Sequence, residues 1–255
     1  MKKLIAMGLT VIMTAVAVCG CGSSDSGNDA KKSDNQTKQQ AVKVIDVDLT
    51  SEEYAFGVDK NKPELLTQVN DFIKEIKDNG TFDEICNKYF GGGNPTPVKS
   101  EKLDTSKDQL LVATNASFEP FEYMKGDSYY GIDMEIAAAL AKKLNKELVI
   151  QNMEFDSVCL SVGQHKSDIA MTGLTIKEDR KKYVNFTDPY YNAAQRLIVK
   201  GDSTEFDNCK DKAAIEKILK TKDKSVTIGV QNGTTGQFYC EGDKSWGFES
   251  NYNRL

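Results

Sequence analysis

From Gln109 onward, short apolar runs of strand length alternate with amphipathic helical runs, and this alternation confines the chain to an α/β fold with a mainly parallel sheet. Strands are expected at residues 110–114, 148–151 and 169–171. Between them, Ile132, Ile136, Leu140 and Leu144 recur on one helical stripe, and a shorter helix is expected at 157–162. A strand at 196–200, a charged helical segment at 207–222 and an extended run at 226–231 lead into Asn232-Gly233-Thr234-Thr235, so a second α/β unit begins after the first.

The residues before Gln109 hold strand-like runs at 42–47 and 54–58, then two amphipathic helices. Leu65, Val69, Phe72, Ile73 and Ile76 share a face in one, and Phe82, Ile85, Cys86 and Tyr89 in the other. So short a segment cannot bury those faces alone and must pack on the unit that begins at Gln109. Polar, low-complexity residues at 23–40 and 91–108 read as linkers, the second opened by Gly91-Gly92-Gly93.

Lys2 and Lys3 precede an apolar stretch, residues 4–18, that is too short to span a bilayer and reads as an export signal. It closes on Val18-Cys19-Gly20-Cys21, which looks like a bacterial lipobox. Cys21 is therefore the candidate for lipid attachment, with residues 1–20 removed and 21–41 left as a flexible tether. The protein is expected on the extracytoplasmic face of the cell membrane, held in the bilayer through Cys21. Loss of Lys2 and Lys3 moves the formal charge from -5 to -7, and lysines alternate with acids thereafter, so nucleic acid is excluded as a partner. Cys86 and Cys159 read as small core residues, while Cys209 and Cys240 are the pair that an oxidising compartment could join. No metal-ligand spacing, HExxH, GxSxG or GKS/GKT loop occurs, so no metal, cofactor or catalytic residue is expected. His165, the only histidine, reads as exposed and idle in a turn.

Four ordered blocks carry a resemblance. They are Ala113-Thr-Asn-Ala-Ser-Phe-Glu-Pro-Phe-Glu-Tyr123 with Tyr130-Gly-Ile-Asp-Met-Glu135; Ser167-Asp-Ile-Ala-Met-Thr-Gly-Leu-Thr-Ile176 with Arg180; Val184-Asn-Phe-Thr-Asp-Pro-Tyr-Tyr191; and Ile228-Gly-Val-Gln-Asn-Gly-Thr-Thr235. Together they resemble the family 3 extracellular solute-binding proteins, which serve amino-acid ABC importers. The resemblance implies a periplasmic-binding-protein type II fold, two lobes with a hinge closing over one ligand. Glu53 to Phe90 is similar to the segment that ends such proteins, so the order is expected to be permuted; a remnant of a fused gene is the competing reading. On this basis residues 42–93 are the permuted segment, 94–108 a linker, 109–195 lobe one and 196–255 a partial lobe two.

The resemblance also implies a site. An amino acid needs cations or N–H donors for its carboxylate, an acceptor for its ammonium and a surface for its side chain. Arg180, five residues beyond Thr175, takes the carboxylate with its planar fork. Thr172, Gly173, Thr175 and Gln231 add contacts, Thr234 and Thr235 offer N–H groups at a helix start, and Phe118 and Phe155 sandwich the ligand side chain, although most Phe residues are core. Asn115 stands where many relatives carry an acid, which argues against a strongly cationic ligand. The family's segment carrying an ammonium-accepting aspartate has no counterpart, so lobe two is expected to be incomplete and binding weak. The expected partners are a polar amino acid and an ABC permease, and the protein is not expected to be an enzyme. The alternatives are a dehydratase-type enzyme on the same fold, with Glu119 or Glu122 as its acid, and a degenerate surface lipoprotein that does not bind.

Overall fold

In the computed structural model, which describes residues 41–223 and 225–242, an early strand is threaded into the middle of a sheet built mostly from much later residues. The export signal, Cys21 and the tether through residue 40 lie outside the described residues, as do 243–255. The first elements are β1 (Val42–Val44), β2 (Glu52–Tyr54) and β3 (Gly57–Asp59), then helices α1 (Pro63–Asp78) and α2 (Thr81–Phe90). Strand β4 (Gln109–Thr114) is followed by a meander of β5 (Ser117–Phe118), β6 (Glu122–Lys125) and β7 (Ser128–Tyr130). Next come α3 (Ile132–Lys143), β8 (Glu147–Asn152), α4 (Phe155–Gly163) and β9 (Ile169–Ala170). A 3-10 turn at Arg180–Lys182 leads to β10 (Val184–Phe186), β11 (Tyr191–Ala193) and β12 (Ile198–Lys200), and α5 (Lys212–Leu219) and α6 (Thr235–Glu241) complete the order.

The main sheet has the order β10-β3-β9-β4-β8. Strand β4 runs parallel to β8 and β9, which are reached through the crossover helices α3 and α4. Strand β3 is antiparallel to both β9 and β10. Since β9 and β10 both run against β3, the strands β8, β4, β9 and β10 share one direction, so the sheet is mainly parallel as expected from Gln109 onward, with the early strand β3 inserted against the others. The run expected as one strand at 54–58 is divided. Strand β2 pairs with β11 while β3 joins the main sheet, and at the step between them Ala55 N–H donates to the Leu174 carbonyl and the Phe56 carbonyl accepts from Thr187 N–H.

Alternation along the strands fills both faces of the sheet. Val112 and Ile169 point into one core with Phe56, Val58, Phe72, Ile136 and Leu140. Their neighbours Ala113 and Ala170 face a second with Val158, Val162 and Val184 under α4. The amphipathic faces of α1 and α2 thus pack on the unit that begins at Gln109; Pro63 in the first turn of α1 and Lys77 in the last suit its start and its negative end. Phe56 stacks on Tyr190 with ring centroids 4.4 Å apart. A smaller cluster holds Ile45, Leu49, Phe206, Ile215, Leu219 and Tyr239 around the β1–β12 ribbon. No disulfide joins Cys209 to Cys240, which pack against that cluster.

Four other expectations change. Residues 94–108 are docked and not a loose linker: Val98 and Tyr129 exchange backbone hydrogen bonds of 2.8 and 3.0 Å, Glu101 N–H donates to Leu148 O, and Ile150 N–H donates to Ser100 Oγ. Strand β8 is a sheet edge, and this segment meets the edge groups that pairing leaves over. Residues 226–231 pair with no strand among the described residues; a ladder needs a partner, and none lies alongside. The charged helix is confined to α5, where the Asp211 side chain accepts from Ala214 N–H at 2.8 Å and sets the start. His165 is exposed but not idle, since its Nδ1 lies 2.8 Å from Asp59 Oδ2 and its Nε2 3.0 Å from Asn61 Nδ2.

Phe72 is 5 % exposed within the first core, so Phe72→Ala should destabilise the protein by about 3–5 kcal/mol. Denaturant unfolding of the full chain measures this, and an unchanged midpoint would show that α1 contributes nothing to the core.

Candidate functional site

The loop that follows β9 is held from two sides. On one side β2 grips it: the Leu174 carbonyl accepts from Ala55 N–H, and Ile176 N–H donates to the Glu53 carbonyl at 3.0 Å. On the other side two buried acids lie beneath it. Gly173 N–H donates to Asp133 Oδ2 at 2.8 Å, Tyr190 Oη donates to Asp133 Oδ1 at 2.7 Å, and Thr172 Oγ1 donates to Glu122 Oε1 at 2.9 Å. Burial pushes the Asp133 carboxyl up to about 7, against the pull of the Gly173 and Tyr190 hydrogen bonds. Glu122 is pushed well above the usual carboxylate range, first by burial and then by the nearby Asp133 charge. Gly173 sits at φ +51°, and a Cβ there would lie 3.0 Å from the Phe118 ring and 3.4 Å from the Tyr54 ring, so both conformation and space call for glycine.

Arg180 stands at the start of the 3-10 turn with its guanidinium buried. Its Nη1 donates to the Thr175 carbonyl at 2.7 Å, its Nη2 donates to the Gly233 carbonyl at 2.9 Å, and its guanidinium carbon lies 5.2 Å from the Phe155 ring centroid. Burial lowers its pKa from the ordinary arginine value. Of the five guanidinium N–H groups, these bonds use two.

The turn before α6 meets this arrangement from the far side of the chain. Gln231 Nε2 donates to Asn115 Oδ1 at 2.8 Å, while Asn115 Nδ2 donates to Met153 O at 2.7 Å. Thr235 Oγ1 donates to Thr175 Oγ1 at 3.2 Å. Thr234 Oγ1 donates to the Gln231 carbonyl and accepts from Gln237 N–H, so its side chain caps α6.

Of the residues implied by the sequence, Arg180 and Thr235 are both bonded to Thr175, Asn115 and Gln231 form a separate pair, and Phe155 stacks on Arg180. Phe118 is not core: it is 40 % exposed, lies over Gly173 and stacks on Phe121 with centroids 5.6 Å apart. Thr172 is fully buried beneath the loop, its hydroxyl taken by Glu122 and by Asn115 N–H. Gly173 N–H is likewise taken by Asp133.

Sequence reasoning missed Glu52. Its Oε2 accepts from Thr175 Oγ1 at 2.7 Å and its Oε1 from Thr50 Oγ1 at 2.5 Å. The signal was the strand period of two, which turns Glu52 inward wherever Tyr54 is inward. Among the described residues, no group of three or more His, Cys, Asp or Glu is placed to hold a metal ion.

The profile of the bacterial extracellular solute-binding proteins, family 3, matches residues 11–92 and 110–237. The arginine-binding extracellular protein ArtP of Bacillus subtilis (strain 168) is 36% identical over 131 residues, 51% of this chain and 47% of ArtP. The arginine-binding periplasmic protein of Mannheimia haemolytica is 35% identical over 142 residues, 55% of this chain and 52% of that protein. A probable histidine-binding protein of Neisseria gonorrhoeae is 35% identical over 130 residues, 50% of this chain and 44% of its own length. The chain thus spans about half the length of the curated relatives it matches. Among solved structures, the arginine-bound form of truncated ArgBP from T. maritima is 34% identical over 58% of this chain and 64% of that chain, with a TM-score of 0.47.

The acids beneath the loop give a pH signature. A folded carboxyl raised from 3.8 to about 7 binds its proton more tightly than the unfolded one, so its contribution is full at low pH and is lost as pH rises through about 7. Asp133→Asn should flatten the fall of Tm between about pH 4 and pH 7, and an unaltered Tm–pH curve would refute this.

Proposed function

Because the chain belongs to the bacterial extracellular solute-binding proteins of family 3, we propose that it captures a polar amino acid outside the cytoplasm and presents it to an ABC permease, with Arg180 as the carboxylate anchor. The observation that carries the reading is the seat of Arg180. A buried guanidinium is stacked on Phe155, keeps N–H groups unspent, and has a backbone carbonyl, that of Gly233, where a carboxylate oxygen would be a stronger acceptor. An incoming carboxylate displaces a neutral acceptor from a cation, and the charge-assisted bond favours that exchange. Asn115 and Gln231 then close the cleft from opposite elements, and Phe118 and Phe155 offer their faces to the ligand side chain.

The named relatives make arginine and histidine the first ligands to try. Asn115 adds no negative charge to attract a cationic side chain, and its amide is already engaged by Met153 and Gln231, so the ligand class stays at polar amino acids. The dehydratase alternative has no carrier: Glu119 is exposed, and Glu122 is sealed beneath the loop against Thr172. The same reading extends to Cys21 as a lipidated residue that tethers the protein to the bilayer.

Calorimetry with the twenty amino acids should find at least one that binds, and Arg180→Ala should weaken it roughly ten- to a hundredfold or abolish it. Binding unaffected by that substitution would reject the anchor. Labelled palmitate should be incorporated into the full chain and lost in Cys21→Ala, with release into the medium; a Cys21→Ala protein still retained on membranes would reject the tether.

A further inference from the structure

An amino acid carries its two charges on groups attached to one carbon, so a site that fits it must hold a cation and an anion close together. Arg180 is the cation. Two acids touch the same loop through side-chain hydroxyls alone, Glu122 through Thr172 and Glu52 through Thr175, and Glu52 is the one bonded to the residue whose carbonyl holds Arg180. It is 3 % exposed, and its two oxygens accept hydrogen bonds from the hydroxyls of Thr50 and Thr175. No Lys, Arg or His lies within ion-pair distance of it among the described residues. A carboxylate has about four lone-pair positions, so these hydroxyls leave room for further donors.

Thr175 sets the spacing between the two charges. Its carbonyl accepts from Arg180 Nη1, and its hydroxyl donates to Glu52 Oε2. Cation and acid are thus bound to the carbonyl and the side chain of a single residue and stand on the same loop. Of the other buried acids nearby, Asp133 is taken by Gly173 N–H and Tyr190, while Glu122, whose Oε1 accepts from Thr172 and whose Oε2 has no partner among the described residues, is sealed from solvent and pushed by burial toward its neutral form. Leaving a carboxylate buried with only neutral donors is costly unless a cation joins it.

We infer that Glu52 receives the ammonium group of the bound amino acid; this rests on the reading of Arg180 as the carboxylate anchor. The residue comes from the segment ahead of residues 94–108, and β2 delivers it to the Thr175 loop. A purely structural role is the competing account, because Thr50 Oγ1 also accepts from Gln195 N–H at 2.8 Å and so ties the segment before β2 to the one after β11 through Glu52.

The two accounts separate on a ligand that lacks the ammonium. L-Arginine and its des-amino analogue 5-guanidinopentanoate, and L-histidine and imidazolepropionate, are titrated by calorimetry into the full chain, the parent first and then Glu52→Gln. For whichever amino acid binds, the parent should prefer it over its analogue by roughly ten- to a hundredfold, the span of one charged hydrogen bond. Glu52→Gln should remove that preference by weakening the amino acid alone. A parent that binds both members of a pair equally overturns the inference without any variant, which also decides the matter if Glu52→Gln does not fold. Equal loss of both members in Glu52→Gln overturns it too and marks a structural clamp. Failure of the parent to bind any of the twenty amino acids, by contrast, overturns the functional reading and this inference together.

Discussion

Every buried peptide group between Glu52 and Asp59 has to find a hydrogen-bond partner, and the partners lie on elements formed far later in the chain. Strand β3 takes the place between β9 and β10, Ala55 reaches Leu174, and Phe56 reaches Thr187. Without this stretch β9 and β10 would lose their common neighbour, leaving unpaired edges inside the fold. The same stretch turns Glu52 toward Thr175 and carries Phe56 onto Tyr190. Sheet closure, core packing and site geometry thus depend on one run of backbone, and helices α1 and α2 bury the remaining apolar surface.

The loop bearing Gly173 and Thr175 is rigid for a different reason. It rests on Asp133 and Glu122, two acids whose burial disfavours their charged forms. Such groups cost stability, yet each accepts a hydrogen bond from the loop, and one of them also anchors Tyr190 against Phe56. Stability given up in the core is returned as a fixed position for the loop, which is what a site built on backbone and short side chains requires.

Contacts across the cleft are of a lighter kind. Gln231 to Asn115, Thr235 to Thr175 and Gly233 to Arg180 are single hydrogen bonds without a large apolar surface behind them. Net contributions of about 1 kcal/mol for each neutral pair and about 1.5–3 kcal/mol for the Arg180 bond are small beside the apolar burial that holds the first core together.

The helices of the early segment were legible because their apolar residues repeat at helical spacing, as with Leu65, Val69, Phe72 and Ile76, and β4, β8 and α3 were legible from alternation of period and length. Arg180 and Thr175 were legible only through the resemblance, since an arginine amid lysines has no mark of burial. What could not be read was pairing. Residues 54–58 look like one strand, and 226–231 like another, because apolar patterning records which residues avoid water but not which partner receives their peptide groups. Glu52 escaped for the same cause: its face follows from the strand period, but its meeting with Thr175 exists only once β2 lies against the loop. The sequence by itself determined the helices of the early segment, β4, β8, α3 and the family, through local periodicity and motif. Tertiary structure alone decided the insertion of β3 into the sheet, the docked segment at 94–108 and the meeting of Glu52 with Thr175, because each depends on hydrogen bonds between residues distant in the chain.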